Sequence, residues 1–152
     1  MKRSTIVEII AALFIILFLY TALSKSFEIS KTIDVLNKTP RLSAYSHELA
    51  WAIVFLEYGA ALLLFIPQTR KKGMSASLCL MVGFTFYILY MFASVPHLPC
   101  SCGGVISKMS WKQHLLFNIL FVFLALLGIL LDRKRTKSRA QGALTTIPII
   151  ST

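Results

Sequence analysis

Acidic residues are scarce in this chain: six Asp and Glu stand against sixteen Lys and Arg in 152 residues. Charge of either sign is thin as well, at 14%, where a soluble domain carries about 25%. That shortage excludes a soluble enzyme hung on an anchor. Proline is missing from the interior of every long apolar run, so none of those runs is broken. There is no internal repeat either, and a secondary transporter would normally show repeats or broken helices near the bilayer midplane. No connection is long enough to hold a second core. The basic excess gives a formal net charge of +10, which in a soluble chain would raise nucleic-acid binding. Here no basic stripe carries interleaved stacking aromatics, and no nucleic-acid partner is expected. Cysteine is also rare, with three in the chain.

What is present is apolar surface. Hydrophobic residues make up 57% of the chain, against about 45–50% in soluble domains, and the mean hydropathy is +0.74. Four stretches suffice to cross a bilayer, which takes about 17–25 residues per helix. They run over Ile6 to Leu23, Leu49 to Ile66, Met74 to Val95 and Leu115 to Leu131. The last is short, but Trp111 to Gln113 can extend it. Only helices and closed barrels satisfy the backbone in lipid, and the alternation of barrel strands is absent. The expected fold is all-α, a four-helix transmembrane bundle over residues 1–131, with a basic, disordered cytoplasmic tail over 132–152. The first stretch has the basic start of a signal peptide (Lys2, Arg3). Its apolar run exceeds the usual 7–15 residues of such a segment, so an uncleaved span is expected.

Basic residues set the orientation. Lys2, Arg3, Arg70 to Lys72 and the cluster from Arg133 to Arg139 place ten on one side. Lys25, Lys31, Lys38, Arg41, Lys108 and Lys112 place six on the other. The richer side is cytoplasmic by the positive-inside rule. In a bacterium both termini then lie inside, the protein sits in the inner membrane, and the lipid bilayer is its first partner. Trp51 and Trp111 fall at outer span ends, as interfacial Trp does. The longest outer connection, Lys25 to Glu48, holds a short amphipathic piece around Ile29, Ile33, Val35 and Leu36, which Pro40 should end. Ser110 and Gln113 have capping-box spacing at the start of the fourth span.

The chemistry concentrates in Pro99-Cys100-Ser101-Cys102-Gly103-Gly104, between the third and fourth spans. With both termini inside, this run faces the oxidising side, where disulfides form. A bond between residues i and i+2 must bring its α-carbons within about 7 Å, so the chain has to turn, and the two glycines allow it. So small a ring is strained, and strained disulfides are reduced more readily. That suits exchange better than stapling. Cys100 and Cys102 are therefore the candidate catalytic pair, and either can be the attacking thiol. A thiolate gains from nearby cations, which Lys108, His97 and His114 offer. The same atoms give a second reading: His97, Cys100, Cys102 and His114 form a two-sulfur, two-nitrogen set suited to zinc or another thiophilic ion. Against it, the one-residue cysteine gap is tighter than the usual gap of two to four. Cys79 lies about 20 residues, or near 30 Å of helix, from Cys100, too far to bond it, and reads as a buried small hydrophobe.

Glu57 stands mid-span in Phe55-Leu56-Glu57-Tyr58-Gly59. An intramembrane carboxylate is costly and faces the bundle interior with a partner. Lys25, Tyr20, Tyr87 and Asn118 are the candidates, and spacing does not choose among them. Asn118 reads as a helix-joining residue, and Gly59, Ala60, Ala61 and Gly83 as sites of close helix approach.

Taken together, the four spans, Ser24-Lys25 closing the first, Glu57-Tyr58-Gly59 in the second and the cysteine-glycine run before the fourth resemble the MauE/DoxX-like membrane proteins. Cys100-Ser101-Cys102-Gly103-Gly104 with Ser110-Trp111 resembles the methylamine utilisation (MauE) branch. The resemblance covers about Ile6 to Leu131. It implies a redox-associated inner-membrane protein of the kind that matures methylamine dehydrogenase, whose small subunit is rich in disulfides. The residues carried over are Lys25, Glu57, Cys100, Cys102 and the glycines after them. Partners implied are a periplasmic thioredoxin-like or disulfide-bearing protein. The quinone-linked thiol oxidoreductases also use four-helix bundles, but relay electrons between two cysteine pairs, and this chain has one outer pair. The electron sink stays open, and so does the cofactor, a quinone or a metal ion. So do two other classes: a metal-handling membrane protein, and a non-catalytic assembly factor whose cysteines only shape the loop.

Overall fold

A computed structural model describes residues 3–39, 42–94 and 111–145. The described chain is helical: α1 (Arg3–Phe27), α2 (Ile29–Asn37), a 3-10 turn (Ser43–Tyr45), α3 (Ser46–Phe65), α4 (Arg70–Ser94) and α5 (Trp111–Thr145). No strand occurs among the described residues. Four helices, α1, α3, α4 and α5, are long and apolar enough to cross a membrane. This is the expected all-α, four-helix transmembrane bundle. Around it α1 packs on α3, α3 on α4, α4 on α5 and α5 back on α1. Each span runs opposite to the next, so the start of α1 and the α3–α4 turn lie at one end of the bundle, and α2 with the start of α5 at the other.

Each span buries one stripe and turns the rest outward. On α1 the buried residues are Val7, Ile10, Ala11, Phe14, Phe18 and Ala22, the three-and-four spacing of one helical face. On α3 they are Ser46, Ala50, Val54, Glu57, Ala60, Ala61 and Leu64. The carboxylate thus occupies a core register, and no rotation of α3 could expose it without exposing its apolar neighbours. Phe14 on α1 meets the ring of Phe121 on α5 edge-on, with centroids 5.2 Å apart, a favoured aromatic geometry. Outward faces carry Ile16, Phe55, Phe86 and Phe123, each about two-thirds exposed. A ring of large exposed apolar side chains around a bundle is the surface that lipid covers.

At the end where α1 starts, α3 and α4 join through a tight turn. Ile66 is extended, with φ −81° and ψ 118°, as the residue before Pro67 must be. The Thr69 hydroxyl then donates to Leu63 O at 2.8 Å. Gly73 in the first turn of α4 packs on the end of α3. A Cβ there would lie 2.7 Å from Leu64 N and 2.8 Å from the Leu63 carbonyl carbon. The close approach falls at Gly73. At Gly59 and Gly83, expected to serve that purpose, a Cβ meets nothing within 4 Å.

At the opposite end α2 is the expected amphipathic piece. It turns Val35 and Leu36 inward and leaves Ser30, Lys31 and Asp34 exposed. Thr39, fully buried, ties its end to α4: its hydroxyl is 3.0 Å from Val35 O, 3.3 Å from Tyr87 Oη and 3.1 Å from Met91 Sδ. Pro40 itself lies outside the described residues. The backbone of α5 stays helical through Thr145, well into the segment that composition assigned to a disordered tail. Arg, Lys, Ala and Gln there are good helix formers, and a formed helix adds residues at less cost than it nucleates.

Candidate functional site

The site is a largely apolar pocket inside the bundle with a charged centre, which two helices supply. Lys25 sits one turn from the end of α1, and helical side chains lean toward the helix N-terminus. The lysine stem therefore reaches back into the bundle rather than out to the interface. There its Nζ forms an ion pair and hydrogen bond with Glu57 Oε1. Glu57 is 1% exposed and Lys25 21%. Of the four partners considered from sequence, the lysine is the one that meets the carboxylate. Tyr87 is engaged with Thr39, Tyr20 lies on an exposed face, and Asn118 lines the same space. The Phe84 ring lies 5.0 Å from Lys25 Nζ, within cation–π range. One residue along, Ser26 donates to Ala22 O at 2.7 Å and lies 3.5 Å from Tyr58 Oη. The Ser24-Lys25 and Glu57-Tyr58-Gly59 phrases, 32 residues apart at the ion pair, are thus two sides of one contact.

The pair opens into a cavity of about 330 Å³ between α1, α3, α4 and α5, with α2 at one end. Leu17, Leu36, Ile53, Phe84 and Phe117 are among its apolar wall residues. Its polar lining comes from Lys25, Glu57, His114, Asn118, Tyr87 and the threonines Thr21 and Thr32. Two of these polar groups are incompletely bonded among the described residues. Glu57 Oε2 and Asn118 Nδ2 are buried and have no hydrogen-bond partner. Such groups ordinarily find one.

His114, expected beside the cysteine run, stands in the first turns of α5, lines this cavity and lies within electrostatic reach of Lys25. Cys79, expected to be a buried hydrophobe, is exposed and lines the cavity on α4. Cys100, Cys102, His97 and Lys108 lie outside the described residues, as does Ser110. The ends that flank them, Ser94 and Trp111, belong to the end of the bundle where α2 and Lys25 sit. No cluster of three or more metal-ligating side chains occurs among the described residues. Three members of the expected metal set lie outside them.

The cavity and the cross-helix ion pair were not legible from spacing. They depend on how four helices are rotated about one another. The usable signal was a single carboxylate in a span, which demanded a partner.

A four-span membrane protein with a charged pair buried in its bundle is what fold and site define. The family model described as "Methylamine utilisation protein MauE" matches residues 3–131. The chain belongs to that family. No curated protein and no solved structure matches it.

Proposed function

We propose that this protein is an inner-membrane thiol–disulfide exchange protein that matures disulfide-bearing proteins of the periplasm, of the kind that methylamine dehydrogenase assembly requires. The observation that carries the reading is family membership over residues 3–131 joined to a vicinal thiol pair, Cys100 and Cys102, in the connection between α4 and α5. The basic side of the bundle faces the cytoplasm. The α4–α5 connection then meets the oxidising compartment, where a thiol pair can cycle.

The step is a two-electron exchange. A thiolate of the partner attacks one sulfur of the Cys100–Cys102 disulfide. That bond breaks, a mixed disulfide forms and the other cysteine leaves as a thiolate. The partner's second thiolate attacks the mixed disulfide, closing the partner's own disulfide and releasing the chain's pair as a dithiol. The partner is oxidised and the chain reduced by two electrons. A thioredoxin-like protein bearing a disulfide reverses the exchange and resets the pair. Lys108 and His97 serve as cations that favour the departing thiolate. The Lys25–Glu57 pair holds α1 to α3.

Single-cysteine chains test this. With Cys102→Ser or Cys100→Ser, the remaining thiolate can attack a partner disulfide but nothing resolves the adduct. One of the two variants is expected to accumulate a mixed disulfide in membranes, seen as a mass shift that a small thiol reductant removes. Absence of an adduct in both variants, with both proteins present at wild-type levels, would overturn the exchange reading.

A further inference from the structure

We infer that the cavity inside the bundle is a binding site for a neutral, lipid-soluble molecule with a hydroxyl-bearing head. The inference stands on the cavity alone and does not depend on the cysteine pair. Its volume, about 330 Å³, falls at the lower end of the range of small-molecule sites, about 300–1,000 Å³. Its composition matches such sites too, with apolar and aromatic walls and a few polar groups that fix orientation.

The polar groups specify the head. Glu57 Oε2 is an acceptor without a donor, and Asn118 Nδ2 a donor without an acceptor. Both residues are nearly fully buried, at 1% and 3% exposure, and both line the cavity. A buried group left in this state costs free energy. A hydroxyl can give its proton to the carboxylate oxygen and receive one from the amide. An ether, a hydrocarbon or a carboxylate cannot do both. Charge points the same way. Lys25 already balances Glu57, and no further Asp, Glu, Lys or Arg lines the space among the described residues. An anionic or cationic head would therefore be buried without a counterion, which is unfavourable.

Access is from the bilayer. Cys79 is exposed and lines the cavity, and it stands on α4 within the candidate span Arg70–Ala93. At that depth the exposed surface of the protein borders lipid. Gly83, one turn further along α4, also lines the cavity, and a Cβ there meets nothing within 4 Å. The missing side chain helps to keep the space open.

The test uses the full chain in detergent micelles with 4-hexylphenol as probe. Hexylbenzene and 4-hexylbenzoate serve as the uncharged and anionic controls. Native mass spectrometry is expected to show one bound hexylphenol and neither control. In a chain whose Cys100 and Cys102 are serine, the phenol should also slow alkylation of Cys79 by N-ethylmaleimide. Asn118→Leu should weaken binding about tenfold. Gly83→Leu should abolish binding by filling the space. Gly59→Leu, also made where a Cβ meets open space but outside the cavity lining, should leave it intact. Equal binding of hexylphenol and hexylbenzene would overturn the hydroxyl specificity. Binding unaffected by Gly83→Leu would overturn the location. Protein purified from its own membranes carries a resident molecule in this account. Its mass separates a glycerolipid bearing a free hydroxyl from a smaller hydroxylated metabolite, whereas a resident carboxylic acid would contradict the proposal.

Discussion

Replacing Lys25 with Met should lower the stability of the folded bundle by about 3–5 kcal/mol, the cost of leaving one member of a buried ion pair alone. The reason is the position of its partner. Glu57 is 1% exposed and sits in the inward stripe of α3, so its carboxylate is left buried without a counterion once the ammonium is gone. The reverse change, Glu57→Gln, should cost less. Lys25 is 21% exposed and near the end of α1, and a long stem can carry its charge to the interface. The double change Lys25→Met with Glu57→Leu removes both charges, and should recover most of the loss, because an apolar pair is often as stable as a buried ionic one. Unfolding in mixed micelles across this double-mutant cycle measures the coupling. Strictly additive single effects would show that the contact does not hold α1 to α3.

The second large effect belongs to Gly73. A Cβ at this position would stand 2.7 Å from Leu64 N and 2.8 Å from Leu63 C. Both are backbone atoms in the last turns of α3, which cannot yield as the end of a flexible side chain can. Gly73→Val should therefore push α3 and α4 apart at their shared turn, with a loss of about 3 kcal/mol, the upper part of the usual range for overpacking. Gly128 is the comparison. The nearest atoms there are Cε and Sδ of Met74, at 3.0 and 3.1 Å, and a methionine side chain adapts readily. Gly128→Ala should cost much less, and its higher helix propensity offsets part of that cost. Thermal unfolding of the two variants in one detergent checks the contrast. Equal losses at both positions would contradict it.

Much of the architecture could be read from composition and run length. The four spans begin and end close to where hydropathy put them, because a bilayer demands apolar runs of fixed length and helices that satisfy their own backbone. The amphipathic α2 was visible in the spacing of Val35 and Leu36, and the membership in the family in a few short phrases. Glu57 announced itself by being a carboxylate in a span. Other features needed the packed bundle. Four partners were chemically able to meet Glu57, and only the rotation of α1 against α3 selects Lys25. Glycine spacing named Gly59 and Gly83 as contact points, yet a glycine in a span can equally border a void, as Gly83 does. Cys79 reads as core from its neighbours in sequence, but on α4 its side chain is exposed at the edge of the cavity. The cavity itself has no linear signature, since its lining comes from the four spans, α2 and Leu42.

The central claim is that Cys100 and Cys102 form a redox-active pair. The most direct test is a redox titration of the full chain in membranes, by thiol alkylation and mass shift across poised thiol buffers, with Cys79→Ser removing the third thiol. The account predicts a reversible two-electron transition of the pair between roughly −120 and −270 mV, the range of exchange proteins. Two thiols that stay reduced throughout, with no disulfide formed even in the most oxidising buffer, would contradict it.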